Sequence, residues 1–212
     1  MIHKLFYIVI LLGVCLCLLS CGKTTEPVPS FLGDINLDGY SYTVADAVML
    51  VNYFLVGEKA FGNHVDSSVT ASDINLNGIP HEVADVQYLV RIIIGDVAPL
   101  VSIVHSTKEC VVNSQVSGSM VTVKYECPEE IGAVWLRFRI DDQMSIPIVQ
   151  YDMDFKYEVA GDTLLNVLVY NFGHEVLPSG DGSIISFNTN GTAELIDAEV
   201  SNYSGVAIPV TF

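Results

Sequence analysis

The sequence predicts an α+β multidomain chain: a small all-α unit over residues 33–97 and an all-β, immunoglobulin-like sandwich over 100–212. Three observations carry this. A motif recurs at an offset of 39 residues in the first unit, each copy ending in an apolar tract of about three helical turns. Alternating apolar and polar runs fill the second unit, separated by Gly, Pro, Asn and Asp. Ahead of both lies an uncharged apolar run, Leu5 to Ser20.

That run follows His3 and Lys4 and ends at Cys21-Gly22-Lys23, the pattern of a secretory leader over residues 1–20. It is short for a membrane span, which takes ~20 residues. Leu18-Leu19-Ser20-Cys21 resembles the bacterial lipobox, so the resemblance implies cleavage before Cys21, its acylation, and a membrane tie through the lipid. The expected location is the bacterial cell envelope, at the outer membrane or cell surface. Residues 21–32 then form an acylated, Pro-containing tether. The join between the units falls at Ala98-Pro99.

The 212 residues hold 9 Lys and Arg against 25 Asp and Glu, a net charge of −16. Such a balance argues against nucleic-acid binding, which needs a basic face, and suits cations. With half the residues hydrophobic and 16% charged, the chain is not disordered.

In the first unit, Gly33 to Gly39 matches Ser72 to Gly78, and Val44-Ala45-Asp46 matches Val83-Ala84-Asp85. Oxygen side chains at loop positions 1, 3 and 5 with glycine at 6 describe a calcium loop, since alternate residues on a curving backbone converge on one point. Asp34, Asn36 and Asp38 fill these positions before Gly39; Asp73, Asn75 and Asn77 fill them before Gly78. Position 7 offers the backbone carbonyl of Tyr40 or Ile79. The closing acid, usually at 12, stands at 13 in both copies, as Asp46 and Asp85, a shared one-residue expansion placed between Tyr40 and Val44 and between Ile79 and Val83. Tyr42 and His81 at position 9 are poor ligands; Thr43, Glu82 or water are the substitutes. The expectation is two Ca²⁺ sites, the second weaker because Asn77 replaces an acid. The alternative is Asx turns and helix caps without metal.

This duplicated loop-and-helix unit resembles a type I dockerin over about 65 residues. The resemblance implies a calcium-dependent docking module that binds cohesins in polysaccharide-degrading assemblies. The helices fit docking: with Ala47, Leu50, Val51, Phe54, Val86, Leu89, Val90 and Ile93 turned inward, Met49, Tyr53, Tyr88 and Ile92 need another surface. That surface is either an external cohesin-like module or the chain's own sandwich.

In the second unit, strands are expected within 120–126, 133–140, 164–172, 182–188 and 193–200. The stretch Gly132 to Ile140 and the ending Ala193 to Phe212 resemble, more weakly, a cohesin sandwich. A tight turn at Gly118-Ser119 would set Val116 opposite Val121 and Cys110 opposite Cys127, a disulfide register in an oxidising compartment. Trp135 shares a strand face with Arg137 and Arg139; it either packs or serves as a glycan platform. Asp152 and Asp154 alternate on a strand, the pattern of a solvated face rather than a catalytic pair. The histidines lack zinc spacing, and GxSxG, P-loop and dinucleotide motifs are absent.

The sequence therefore reads as a non-enzymatic, calcium-binding, lipid-anchored envelope protein that mediates attachment, associated with polysaccharide binding or catabolism. Two rivals stay open: a carbohydrate-binding or adhesive surface protein with structural calcium, and a self-docked structural unit.

Overall fold

A computed structural model describes residues 31–99 and 106–212. The leader, Cys21 and most of the tether lie outside the described residues. No helix within them is long and apolar enough to cross a membrane.

Each repeat delivers its helix. Helix α1 spans Val44–Val56 and α3 spans Val83–Ile93. Thr43 and Glu82 are their N-caps, and Asp46 and Asp85, three residues on, reach back to complete capping boxes. Gly57, with φ 71°, ends α1 in a conformation costly to other residues. Between the repeats, a 3-10 turn at Gly57–Phe61 and a short helix α2, Val65–Ala71, fold a stretch for which the periodicity predicted no element. Helix α2 is held by burial of Ala71, whose carbonyl accepts from the Gly33 amide at 2.9 Å, by Val65 and Val69 against the core, and by the Ser68 hydroxyl, which donates to the Ile35 carbonyl at 2.8 Å.

The second unit is a sandwich of two five-stranded sheets. The strands are β1 Cys110–Ser117, β2 Met120–Cys127, β3 Ile131–Ile140, β4 Ile148–Val149 and β5 Asp154–Ala160. They continue with β6 Leu164–Tyr170, β7 Gly180–Asn188, β8 Ala193–Asn202, β9 Ala207–Ile208 and β10 Val210–Thr211. One sheet has the order β10-β1-β2-β7-β4 and the other β5-β6-β3-β8-β9. The β1–β10 pair is parallel; the other ladders are antiparallel. Alternate residues, among them Val121, Val123, Leu136, Phe138, Leu165, Val167 and Phe187, fill the space between the sheets. In the β1–β2 hairpin Val116 stands opposite Val121, and Cys110 and Cys127 are disulfide-bonded.

The second sheet is covered on both faces. Ala133, Trp135, Leu168 and Tyr170 point away from the sandwich core into a cluster with Leu50, Phe54, Val86 and Leu89 of the helices. The molecule is thus layered as helices, sheet, sheet. Burial on both faces accounts for the near-continuous apolar runs at 131–136 and 164–170, where a half-solvated strand would alternate.

Candidate functional site

The two Asp/Asn loops have the same backbone. Positive φ recurs at position 4 (Leu37, 58°; Leu76, 54°), position 6 (Gly39 and Gly78, both 91°) and position 9 (Tyr42, 59°; His81, 51°). Position 9 lies inside the segment assigned to the expansion: a left-handed residue there absorbs the extra length. Its side chain turns inward instead of toward the loop. The Tyr42 ring lies against Gly33, and the His81 ring lies 4.6 Å from that of Tyr53.

The side chains of loop one are hydrogen-bonded within it. Asp34 accepts from the Asp38 and Gly39 amides at 3.0 and 2.9 Å, Asn36 Oδ1 from the Asp38 amide, and Asp38 from the Tyr40 amide. Loop two repeats this: Asp73 accepts from Asn77 and Gly78, Asn75 from Asn77, and Asn77 from Ile79. The side chains of Tyr40 and Ile79 are exposed, and their part in a cation site is through the carbonyl.

The closing acids differ. Asp46 Oδ1 accepts from the Ile35 and Asn36 amides, and Oδ2 from the Thr43 amide and hydroxyl, at 2.7–3.1 Å. A carboxylate has about four lone-pair sites, so these donors saturate it. Asp85 accepts from the Asn75 and Glu82 amides, one on each oxygen. Complete burial holds Asp85 well above the usual carboxylate range, against the pull of those two amides, with Asp73 and Glu82 adding repulsion. Among the described residues no three His, Cys, Asp or Glu side chains are grouped to hold a metal. The oxygen donors at positions 1, 3, 5 and 7 suit a hard cation, whereas Asp46 is turned onto the backbone and acts as a clasp.

The helices meet the sheet through their ends. An α-helix leaves its last four carbonyls and first four amides unpaired. At the C-terminus of α1, the Phe54 carbonyl accepts from Trp135 Nε1 at 3.0 Å and the Leu55 carbonyl from Asn166 Nδ2 at 2.9 Å. At the N-terminus of α3, the Val83 amide donates to Glu199 Oε2 at 2.9 Å. The sheet offers donors to the negative end of one helix and an acid to the positive end of the other, the favourable arrangement for the helix dipole. Further bonds run from Gln87 Nε2 to the Tyr203 carbonyl and from Asn75 Nδ2 to the Gly205 carbonyl, both 3.3 Å. Gly132 and Gly205 permit this closeness: a Cβ at either would come within 2.8 Å of Gln87 or Tyr88. At the far end of α3, Tyr203 bonds Asp96 and His174, and Arg91 lies 4.8 Å from the Tyr203 ring centroid.

Of the four helix residues assigned to an interface, Tyr88 lies against Gly205 of the sandwich, and the Tyr53 ring packs on those of Phe54, Phe61 and His81. Tyr88 is buried, and Met49, Tyr53 and Ile92 are half-buried against the same cluster. Phe54, assigned to the helical interior, also meets the sheet, with its ring 5.7 Å from that of Trp135. Trp135 is 6% exposed, between Phe54 and the Arg137 guanidinium 4.4 Å from its ring, and presents no free stacking face. Asn166 carried a signal in the sequence, as the polar residue within an otherwise apolar strand, whereas Glu199 stands among Glu194, Asp197 and Ser201 on β8 and carried none. Burial pushes Glu199 up to about 7, with Glu82 and Asp197 adding to it and the Val83 amide and Arg137 opposing.

No protein-family model and no curated protein matches the chain. It is similar to solved cohesin modules. A non-cellulosomal cohesin from Archaeoglobus fulgidus matches at 20% identity over 50% of this chain and 85% of that one, with a TM-score of 0.37. The sixth cohesin of scaffoldin B from Acetivibrio cellulolyticus, solved with a dockerin, matches at 14% identity over 50% and 95%, with a TM-score of 0.38. A Clostridium thermocellum cohesin–dockerin complex matches at 12% identity over 49% and 86%, with a TM-score of 0.37.

Proposed function

We propose that this chain is a non-catalytic interaction protein of the bacterial cell envelope, held by lipid at Cys21, whose dockerin-like helical unit docks in cis on its own cohesin-like sandwich. The observation behind this reading is the reciprocal capping of the seam: Trp135 and Asn166 cap α1, and Glu199 caps α3. Three charged or polar side chains on one sheet face satisfy three orphan helix groups, so separating the layers would leave each without a protein partner. Each such loss costs ~1–3 kcal/mol where the group stays buried.

Calcium enters this reading as a structural ligand. It would be held by Asp34, Asn36, Asp38 and the Tyr40 carbonyl in loop one, and more weakly by Asp73, Asn75, Asn77 and the Ile79 carbonyl in loop two. Asp46 clasps loop one whatever the cation does. Attachment to polysaccharide or to its processing machinery then falls to surfaces outside the seam, since Met49, Tyr53, Tyr88 and Ile92 are engaged within the molecule.

The test is a protease site placed within residues 100–105 of the otherwise intact chain. After cleavage the halves are expected to co-elute at micromolar concentration. Clean separation, with the helical half free to bind an added cohesin, would return the docking face to an external partner.

A further inference from the structure

Strands β4 and β5 edge the two sheets. Where the chain runs from β3 toward β4 it faces β5 across a cavity of about 490 Å³, walled by Ile140, Met144, Val159 and Tyr157. Ile140 belongs to the sandwich core, and the other three are half-buried against it, so the core reaches the surface here. The Phe155 ring lies 6.3 Å from that of Tyr157 and nearly parallel to it, which sets the plane of the Tyr157 ring. The rim is polar: Asp142 and Gln143 on the β3–β4 connection, and Asp162 on the turn from β5 to β6. Among the described residues no hydrogen bond or ion pair engages the Asp162 carboxylate, the Gln143 carboxamide or the Tyr157 hydroxyl.

The mouth is held in shape by its neighbours. The Ile140 amide donates to the Thr163 carbonyl at 2.9 Å, which ties the two connections together. Asp141 accepts from the amide and hydroxyl of Thr192, and the Ser145 amide donates to the Asn188 carbonyl at 2.8 Å. An apolar cavity with a few convergent polar groups, formed before any ligand arrives, is the usual build of a small-molecule site. Its occupant needs an apolar face for the wall and several hydroxyl donors for acids on two connections. A sugar ring has both: C–H groups to set against the electron-rich face of Tyr157, and hydroxyls for Asp142, Asp162 and Gln143, whose carboxamide donates as well as accepts. A simple cation would answer the acids and leave the wall and the carboxamide unused.

We propose that this cavity is a subsite for one sugar residue of a neutral glycan, with Tyr157 as its platform and Asp142, Gln143 and Asp162 as its hydrogen-bonding rim. None of the lining residues belongs to the helix–sheet cluster, so the inference stands apart from cis docking.

The experiment titrates residues 21–212, with Cys21→Ser and calcium present, by calorimetry against cellohexaose, xylohexaose and mannohexaose, with spermidine as the cationic control. At least one hexasaccharide is expected to bind. Tyr157→Ala should weaken that binding roughly 10-fold and Tyr157→Phe should keep it. Gln143→Ala, at an exposed position that spares the core, should weaken it roughly 5-fold, with a melting temperature near that of the parent chain. This second variant decides the matter if Tyr157→Ala does not fold. No binding of any hexasaccharide, binding of spermidine alone, or sugar binding left intact by Gln143→Ala and by any folded Tyr157→Ala would overturn the inference and leave cis docking standing.

Discussion

Loop one and loop two of the helical unit share a sequence pattern and a backbone, yet they face different surroundings. Asp38 and Gly39 of loop one are exposed, and Asn36 spends its amide on Asp38 within the loop. In loop two Asn75 is buried and gives its amide to Gly205 of the sandwich, while the Val83 amide just beyond the loop goes to Glu199. The same motif is thus a self-contained turn in one copy and part of a seam in the other. A repeat fixes local geometry; the neighbours decide what each copy is for.

The largest effect is expected at the clasps. Asp46→Ala would strand four donors, those of Ile35, Asn36 and Thr43 at backbone and hydroxyl. Since water can reach some of them, the cost is about 3–5 kcal/mol rather than the full sum. Asp85→Ala strands two and should cost about 2–3 kcal/mol. Urea unfolding of the intact chain, with and without calcium, measures both. Equal costs in chelator would break the distinction between a saturated and an open clasp.

A smaller effect separates the residues that lead into the loops. Gly33 has φ 81°, and a Cβ there would overlap the Tyr42 ring. Its counterpart Ser72 sits at φ −94° with its hydroxyl bonded to the Val69 carbonyl. Gly33→Ser is therefore expected to destabilise by about 2–3 kcal/mol through strain and overpacking. Ser72→Gly should cost only about 1 kcal/mol, from one lost hydrogen bond and a looser chain. A thermal-melt pair is enough to rank them.

Much of this molecule was legible in its residues. The offset repeat located α1 and α3, because a cap followed by an apolar tract of three turns needs no tertiary help to be read. The Gly118-Ser119 turn set the β1–β2 register, since a two-residue hairpin leaves one pairing. Helix α2 was not legible: Val65–Ala71 is seven residues, four of them Ser, Thr or Asp, too short for its Val65, Val69 spacing to stand out, and Ser68 and Ala71 help hold it in place. The seam was half legible. Four apolar helix residues lacked a partner in the sequence, but the sheet face that receives them mixes Trp135, Arg137, Asn166 and Glu199, which alternation marks as solvent-facing. Ala133, Leu168 and Tyr170 on that face belong to near-continuous apolar runs, which do mark burial on both sides, whereas the polar residues that meet the helix ends carry no hydrophobic signal.

The smallest effect tests the asymmetry of the loops most directly. Asn75→Ala removes a buried amide that bonds the Asn77 amide on one side and the Gly205 carbonyl on the other. The Gly205 bond is long at 3.3 Å, so the expected cost is modest, about 1–2 kcal/mol, most of it from the unpaired groups left behind. Asn36→Ala removes the equivalent side chain from a loop where water replaces it, and should cost about 0.5 kcal/mol. A double variant of Asn75→Ala with Trp135→Phe adds the geometry: both lie on the seam, so their costs should fall short of additive if one opening event releases both contacts. Asn36→Ala with Trp135→Phe should add, because loop one makes its bonds within itself. Additivity in both pairs would mean that loop two touches the sandwich without sharing in its opening, and the two copies would then differ in surroundings alone.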